Sequence, residues 1–184
     1  MTSKAGYVAP CERTPGQSAA FAARVELIEE LEQADTVLIG APMYNYTTPS
    51  PLKAWLDNVL LLGRTAGPAP SAQGAPAVVV ASRGGSYAPG TPRESYEFVQ
   101  NYLKAVLQDT LGLDLDFIVP ELTMAPRNPA MSELVPLYQA SRERALQDAS
   151  TKARQLAERL AACLPPNRGC RVTPRPGRRT ALPS

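Results

Sequence analysis

At 184 residues, with 44% apolar and 20% charged side chains, the chain is long enough to enclose one hydrophobic core and has the composition of an ordinary globular domain. It contains no histidine, which excludes Ser-His-Asp and Cys-His catalysis and histidine-ligated metal sites, because the imidazole that would carry protons or bind zinc is missing. The net charge of +2 conceals an asymmetry: the last 21 positions hold five arginines and no acid, so the body is net acidic and is not a nucleic-acid binder by charge.

Residues 1 to 16 show no periodicity and read as an irregular lead-in. From Gln17 to Ala34, Phe21, Val25, Ile28 and Leu31 recur at helical spacing with Glu26, Glu29 and Glu30 elsewhere, which predicts an amphipathic helix. Thr36 to Gly40 is a short β-rich run with nothing polar alternating in its core, as expected of a strand covered on both faces. Ser50-Pro51 reads as an N-cap followed by proline at the first helical position, with Leu52, Trp55, Leu56, Val59 and Leu60 forming one apolar stripe.

Gly67 to Ala77 reads as a loop, and Ala77 to Ala81 as a second buried strand. Thr91-Pro92-Arg93-Glu94 has the spacing of a capping box, and Val99, Tyr102, Leu103 and Val106 form the inward face of the helix it should start. Leu115 to Val119, ended by Pro120, is a third strand. A last helix, about Pro136 to Leu164, places Ala145, Ala149, Ala153, Leu156, Leu160 and Cys163 on one side, and Pro165-Pro166 ends it. Strands separated by helices predict an α/β domain with a parallel sheet over residues 17–164.

The stretch 165–184, rich in Pro, Gly and Arg, cannot bury enough apolar surface to offset its ordering entropy and is expected to be a disordered basic tail. Three cysteines (Cys11, Cys163, Cys170) form neither a disulfide framework nor a zinc set, which suits a reduced compartment. No apolar run approaches the roughly 20 residues of a membrane span, and none resembles a signal peptide. The expectation is a cytoplasmic protein without metal, membrane or nucleic-acid partners.

Two loops leave the carboxyl ends of adjacent strands, where an open parallel sheet places its ligand crevice. The first, Ala41 to Tyr46, supplies Pro42, Met43, Tyr44, Asn45 and Tyr46, an apolar and polarisable wall with one amide. The second, Ser82 to Tyr87, supplies Ser82, Arg83, Gly84 and Gly85, with backbone donors that a ligand can approach closely. Such loops suit a planar heteroaromatic ligand with polar edges. Taken singly, the first fits packing at a sheet edge equally well, and the second a turn with a surface arginine.

Together and in this order the loops resemble the FMN-dependent NADH-azoreductase family of flavodoxin-like oxidoreductases, whose relatives include NAD(P)H:quinone dehydrogenases. The resemblance rests on "ADTVLIGAPMYNYTTPSPLKAWLDNVLLLGRT" (Ala34 to Thr65) and "APAVVVASRGGSYAPGTP" (Ala75 to Pro92), and continues more weakly to about Leu160. It implies a three-layer flavodoxin-like sheet. It also implies FMN lined by Pro42, Met43, Tyr44, Asn45 and Tyr46, with its polar edge held by Ser82, Arg83, Gly84 and Gly85. It implies ping-pong turnover in which NADH or NADPH delivers electrons that pass to a quinone or azo compound, with no side chain as a committed acid or base. A homodimer with the flavin at the interface is the matching assembly.

The chain departs from the family at two places. Tyr87 stands at a flavin-side position where members often carry histidine. The family's first strand, Ser-rich phosphate loop, first helix and second strand have no counterpart, so the expected sheet is N-terminally incomplete. That absence also motivates a second reading, a non-catalytic flavodoxin-like remnant that binds a partner in place of FMN. The basic tail motivates a third, weaker one, a salt-dependent binder of nucleic acid or anionic surfaces.

Overall fold

A computed structural model describes residues 8–163 of the chain. The expected tail, Pro165-Pro166, Cys170 and the first seven positions of the lead-in lie outside the described residues. The elements are helix α1 (Pro15–Glu32), strand β1 (Val37–Gly40), helix α2 (Ser50–Val59), strand β2 (Pro76–Val80), helix α3 (Val99–Leu103), strand β3 (Asp114–Ile118) and helix α4 (Val135–Cys163). Short 3-10 turns precede α1, α3 and α4, and α3 continues into a π-helical stretch over Lys104–Thr110, where the Leu111 amide reaches back to the Val106 carbonyl at 3.0 Å.

The strands form one parallel sheet in the order β1-β2-β3, each neighbour joined by a helical crossover, as parallel pairing requires. Register puts Val37, Ala77 and Leu115 in one row and Ile39, Val79 and Phe117 in the next. These residues share a face and pack with Ile28 and Leu31 of α1, Leu56 and Val59 of α2, and Val99 and Leu103 of α3. On the opposite face, β2 and β3 meet α4 beside Val78, Asp114 and Asp116, largely through charge. Lys152 pairs with Asp116 at 2.7 Å, and Arg159 with Asp114 at 2.6 Å. Helices therefore flank both faces, giving a flavodoxin-like α/β sandwich.

Local chemistry accounts for most element starts, though not always as the sequence suggested. Helix α1 begins two residues earlier than expected because Thr14 accepts the Gln17 amide at 3.2 Å while the Gln17 side chain accepts the Thr14 amide at 2.9 Å. Its middle is fastened to α2 by Arg24, a buried residue that donates to the carbonyls of Asn58 and Leu60 at the end of that helix. Arg64 adds a two-pronged pair with Glu32, at 2.9 and 2.7 Å.

Four expectations are corrected. Strand β1 is covered on one face only, for Leu38 is 73% exposed; a four-residue apolar run cannot report which faces are occupied. Ser50 is the first helical residue of α2 and makes no side-chain cap, the cap position being Pro49. The capping box at Thr91 does not form: the Thr91 hydroxyl donates to the Ala88 carbonyl at 2.7 Å, Glu94 accepts the Gly90 amide, and only a 3-10 turn follows. Helix α3 starts at Val99, where the Glu97 carboxylate accepts the Gln100 amide at 3.1 Å. In α4, Ala149, Ala153 and Leu160 are exposed, while Tyr138, Ser141, Ala145, Lys152 and Leu156 turn inward, because ion pairs and the Ser141 hydrogen bond set the helix's rotation.

Candidate functional site

Beyond the carboxyl end of the sheet the loops after β1, β2 and β3 enclose a crevice of about 870 Å³. Its lining includes Met43, Asn45 and Tyr46 from the first loop and Gly84, Gly85, Ser86 and Tyr87 from the second. Leu122 and Met124, and farther on Met131 and Leu134, come from the third connection, and Leu137 from the first turn of α4.

The first loop is a tight reversal. Tyr44 and Thr47 exchange backbone hydrogen bonds at 3.0 Å each way, and the two residues between them, Asn45 and Tyr46, have φ of 48° and 66°. Positive φ at both central positions is the signature of a type I′ turn, which asparagine tolerates and tyrosine rarely adopts. Ring contacts oppose that strain: Tyr46 stacks on Tyr96 at 5.4 Å and meets the edge of Tyr87 at 6.3 Å. A strained residue held in place by neighbours is a frequent mark of a ligand site.

The second loop is held by its carbonyls. Those of Ser82, Arg83, Gly84 and Gly85 accept the amides of Met43, Thr123, Met124 and Leu122 at 2.8, 3.1, 3.3 and 3.1 Å. The amide of Tyr87 goes to the Glu121 carboxylate at 2.8 Å. Between these anchors, the N–H groups of Gly84, Gly85 and Ser86 donate to nothing among the described residues. Three consecutive free donors thus sit on residues that line the crevice, whose walls mix Met43, Tyr46, Leu122 and Met124 with Asn45, Thr91 and Arg93. Gly84 also permits close packing, since a Cβ there would lie 2.8 Å from Met124 Cγ.

Not every candidate residue reaches this space. Pro42 is half-buried behind the turn, Tyr44 is 61% exposed beside it, and Ser82 is half-buried with its carbonyl on the Met43 amide. Arg83 turns away from the crevice. The residue is 2% exposed, and its guanidinium donates to Glu97 at 2.8 Å, lies 3.8 Å from Glu121 and sits 5.8 Å from the Tyr87 ring centre. It faces a neighbouring cavity between the Glu94–Lys104 segment and α4, whose walls carry charges of both signs.

Sequence reasoning missed Ser86, Glu97, Glu121, Leu122 and Met124. A signal for the last two existed: residues after β3 leave the same sheet edge as the other loops, and the crevice rule applies to them equally. The positive φ of 60° at Leu122 had no such signal in the sequence.

An isoalloxazine ring needs an apolar face and donors for its carbonyl and nitrogen edge. Met43, Tyr46 and Met124 on one hand, and the Gly84, Gly85 and Ser86 amides on the other, meet both requirements. Among the described residues no cluster of acidic or cysteine side chains could hold a metal ion, and no helix is long and apolar enough to cross a membrane.

Comparison with known proteins agrees with this architecture. A family model described as the flavodoxin-like fold matches residues 3–142. A protein of Streptomyces coelicolor named FMN-dependent NADH:quinone oxidoreductase is 78% identical over 158 residues, covering 86% of this chain and 72% of that protein. One of the same name from Streptomyces avermitilis is 70% identical over 159 residues, with 86% and 73% covered. Among solved structures, the azoreductase of Bacillus anthracis str. Sterne superposes with a TM-score of 0.65 at 21% identity, covering 78% of this chain and 67% of that one. An FMN-dependent NADH-azoreductase of Bacillus anthracis str. Ames Ancestor, solved in complex with FMN, gives 0.57 at 24% identity, with 75% and 67% covered.

Proposed function

We propose, since this chain belongs to the flavodoxin-like fold family and within it to the relatives named FMN-dependent NADH:quinone oxidoreductases, that its crevice binds FMN and serves electron transfer from NADH or NADPH to a quinone or azo compound. The observation that carries the reading is the set of three free amides at Gly84, Gly85 and Ser86 lining the same crevice as Met43, Tyr46 and Met124. Bound there, FMN would supply the hydride chemistry between nicotinamide and acceptor, and turnover would be ping-pong.

The chain's own part is to bind, orient and exclude water. The free amides would donate to the ring's polar edge, and donors fixed by the surrounding hydrogen bonds need no rearrangement as charge builds on the atoms they face. Met43, Tyr46 and Met124 would hold the apolar face, and Asn45 would offer its amide at the rim. Tyr87, buried and edge-on to Tyr46, would be part of the wall on the side of the second loop.

A homodimer matches the exposed apolar rim. Met124 and Leu137 line the crevice, Tyr96 and Phe98 adjoin its Tyr46 through ring contacts, and Tyr44 lies in the same turn; each is about half or more exposed, and exposed apolar surface of this kind is a usual mark of an interface. The exposed free thiol of Cys11 suits the reduced cytoplasm.

The test is anaerobic mixing of the purified chain with FMN and NADH, followed by benzoquinone. Retention of FMN through gel filtration, bleaching by NADH and recovery of the yellow colour with quinone are expected. A protein that retains no FMN and shows no bleaching would refute the proposal and favour the partner-binding alternative.

A further inference from the structure

We propose that Glu121 is the positioning residue of this crevice: its carboxylate fixes the second loop in the one shape that leaves the Gly84, Gly85 and Ser86 amides free for a ligand. The claim about the loop stands on the chain alone; its consequence for FMN rests on the function proposed above.

Glu121 belongs to the connection after β3 and is remote in sequence from the loop it holds. One carboxylate oxygen accepts the Tyr87 amide at 2.8 Å and the other accepts the Ser86 hydroxyl at 2.7 Å. Arg83 Nη1 lies 3.8 Å from the first oxygen, so the carboxylate touches both ends of the Arg83 to Tyr87 segment. Glu121 is itself anchored, since its backbone amide donates to the hydroxyl of Ser141, a buried residue of α4, at 2.9 Å. The tie therefore runs from a helix on the far face of the sheet to the ligand loop.

The arrangement sorts the loop's amides. Without Glu121, Tyr87 would be the fourth consecutive unpartnered N–H after Gly84, Gly85 and Ser86, and the segment would have no donor pinned at its end. With it, four carbonyls and the last amide are fixed and three donors remain. Arg83 offsets the charge that the carboxylate brings. It is shared with Glu97, which in turn accepts the Gln100 and Asn101 amides at the start of α3, so the chain Glu97, Arg83, Glu121 ties three segments together. Arg83 on this account acts through its neighbours and does not touch the ligand.

Glu121→Ala removes every contact of the carboxylate. Glu121→Gln keeps an acceptor for the Tyr87 amide and a partner for the Ser86 hydroxyl, which can reverse its direction, but loses the charge facing Arg83. Two measurements on the full chain decide the matter. The first, amide hydrogen exchange followed by NMR without ligand, should show the Tyr87 amide exchanging about tenfold or more faster in Glu121→Ala, with the core amide of Val79 unchanged.

The second, FMN titration by fluorescence quenching, should show Kd raised about tenfold or more in Glu121→Ala and about threefold or more in Glu121→Gln. At saturating FMN the visible absorption of the bound flavin in Glu121→Ala should differ from wild type, a change that plain destabilisation does not produce. Tyr87 protection unaltered in Glu121→Ala, or FMN bound by both variants as tightly as by wild type, overturns the proposal. Should Glu121→Ala fail to fold, Glu121→Gln decides by its FMN affinity. Should the wild type itself bind no FMN, the proposed function fails, and the exchange of Tyr87 alone judges the role of Glu121.

Discussion

Replacing Gly84 with alanine should destabilise the protein in one background and not in another, and the structure says why. The added Cβ would lie 2.8 Å from Met124 Cγ and 3.8 Å from Met124 Cβ. Carbon atoms settle at about 3.5 to 4.0 Å, so the first contact is short by roughly 0.7 Å or more. The Met124 backbone cannot yield easily, because its amide is on the Gly84 carbonyl at 3.3 Å and its own carbonyl accepts the Arg127 and Asn128 amides at 3.0 Å. Its side chain is 48% exposed and can swing outward, which puts the loss near the lower end of the 1 to 3 kcal/mol typical of overpacking, about 1 kcal/mol.

In a Met124→Ala background the clash is gone. Gly84 does not occupy the left-handed region, so there Gly84→Ala should only reduce the freedom of the unfolded chain, and be neutral or stabilising by up to about 1 kcal/mol. Urea unfolding followed by the fluorescence of Trp55, the only tryptophan, measures all four corners of the cycle. The expected coupling is about 1 kcal/mol or more, with a change of sign. An equal loss from Gly84→Ala in both backgrounds would refute the packing account.

Three further outcomes follow from single sites. Hydrogen bonds from Arg64, and secondarily from Ser71, hold the Glu32 carboxyl below the ordinary glutamate value of 4.5. A lowered native value means that its stabilisation is complete above the unfolded value and fades as pH falls through the native one. The slope of Tm against pH below about 4.5 should therefore be shallower in Glu32→Gln than in wild type, and parallel slopes would count against the pair. Leu103→Ala, at a fully buried position, should lower stability by about 2 to 5 kcal/mol in the same urea assay. Asn45→Gly should change stability by a few tenths of a kcal/mol at most, whereas Asn45→Val, forced to φ near 48°, should lose about 1 to 2 kcal/mol.

The three strands, the helices between them and the parallel order were all legible, because buried β-branched runs and helical stripes are properties of a few adjacent residues. Helix starts were less so. The box at Thr91 has the right residues, yet its threonine is taken by the Ala88 carbonyl; the equivalent device at Thr14 and Gln17 has the same spacing and does form. Identical local patterns thus diverge according to which nearby acceptor is closer in the folded chain.

The candidate site divides in the same way. That the loops after the first two strands would share a space follows from the topology of any parallel sheet, and Met43, Asn45, Tyr46, Gly84 and Gly85 do meet there. Where Arg83 would point does not follow from its loop, because its direction is decided by Glu97 and Glu121, 14 and 38 positions onward. The most informative features of the crevice, three free amides and the carboxylate that isolates them, are likewise long-range: an amide is free only after every possible acceptor has been placed. Composition told which loops could hold a flat, polar-edged ligand; resemblance supplied flavin as its class; and the pattern of satisfied and unsatisfied backbone groups gives that class a physical reason.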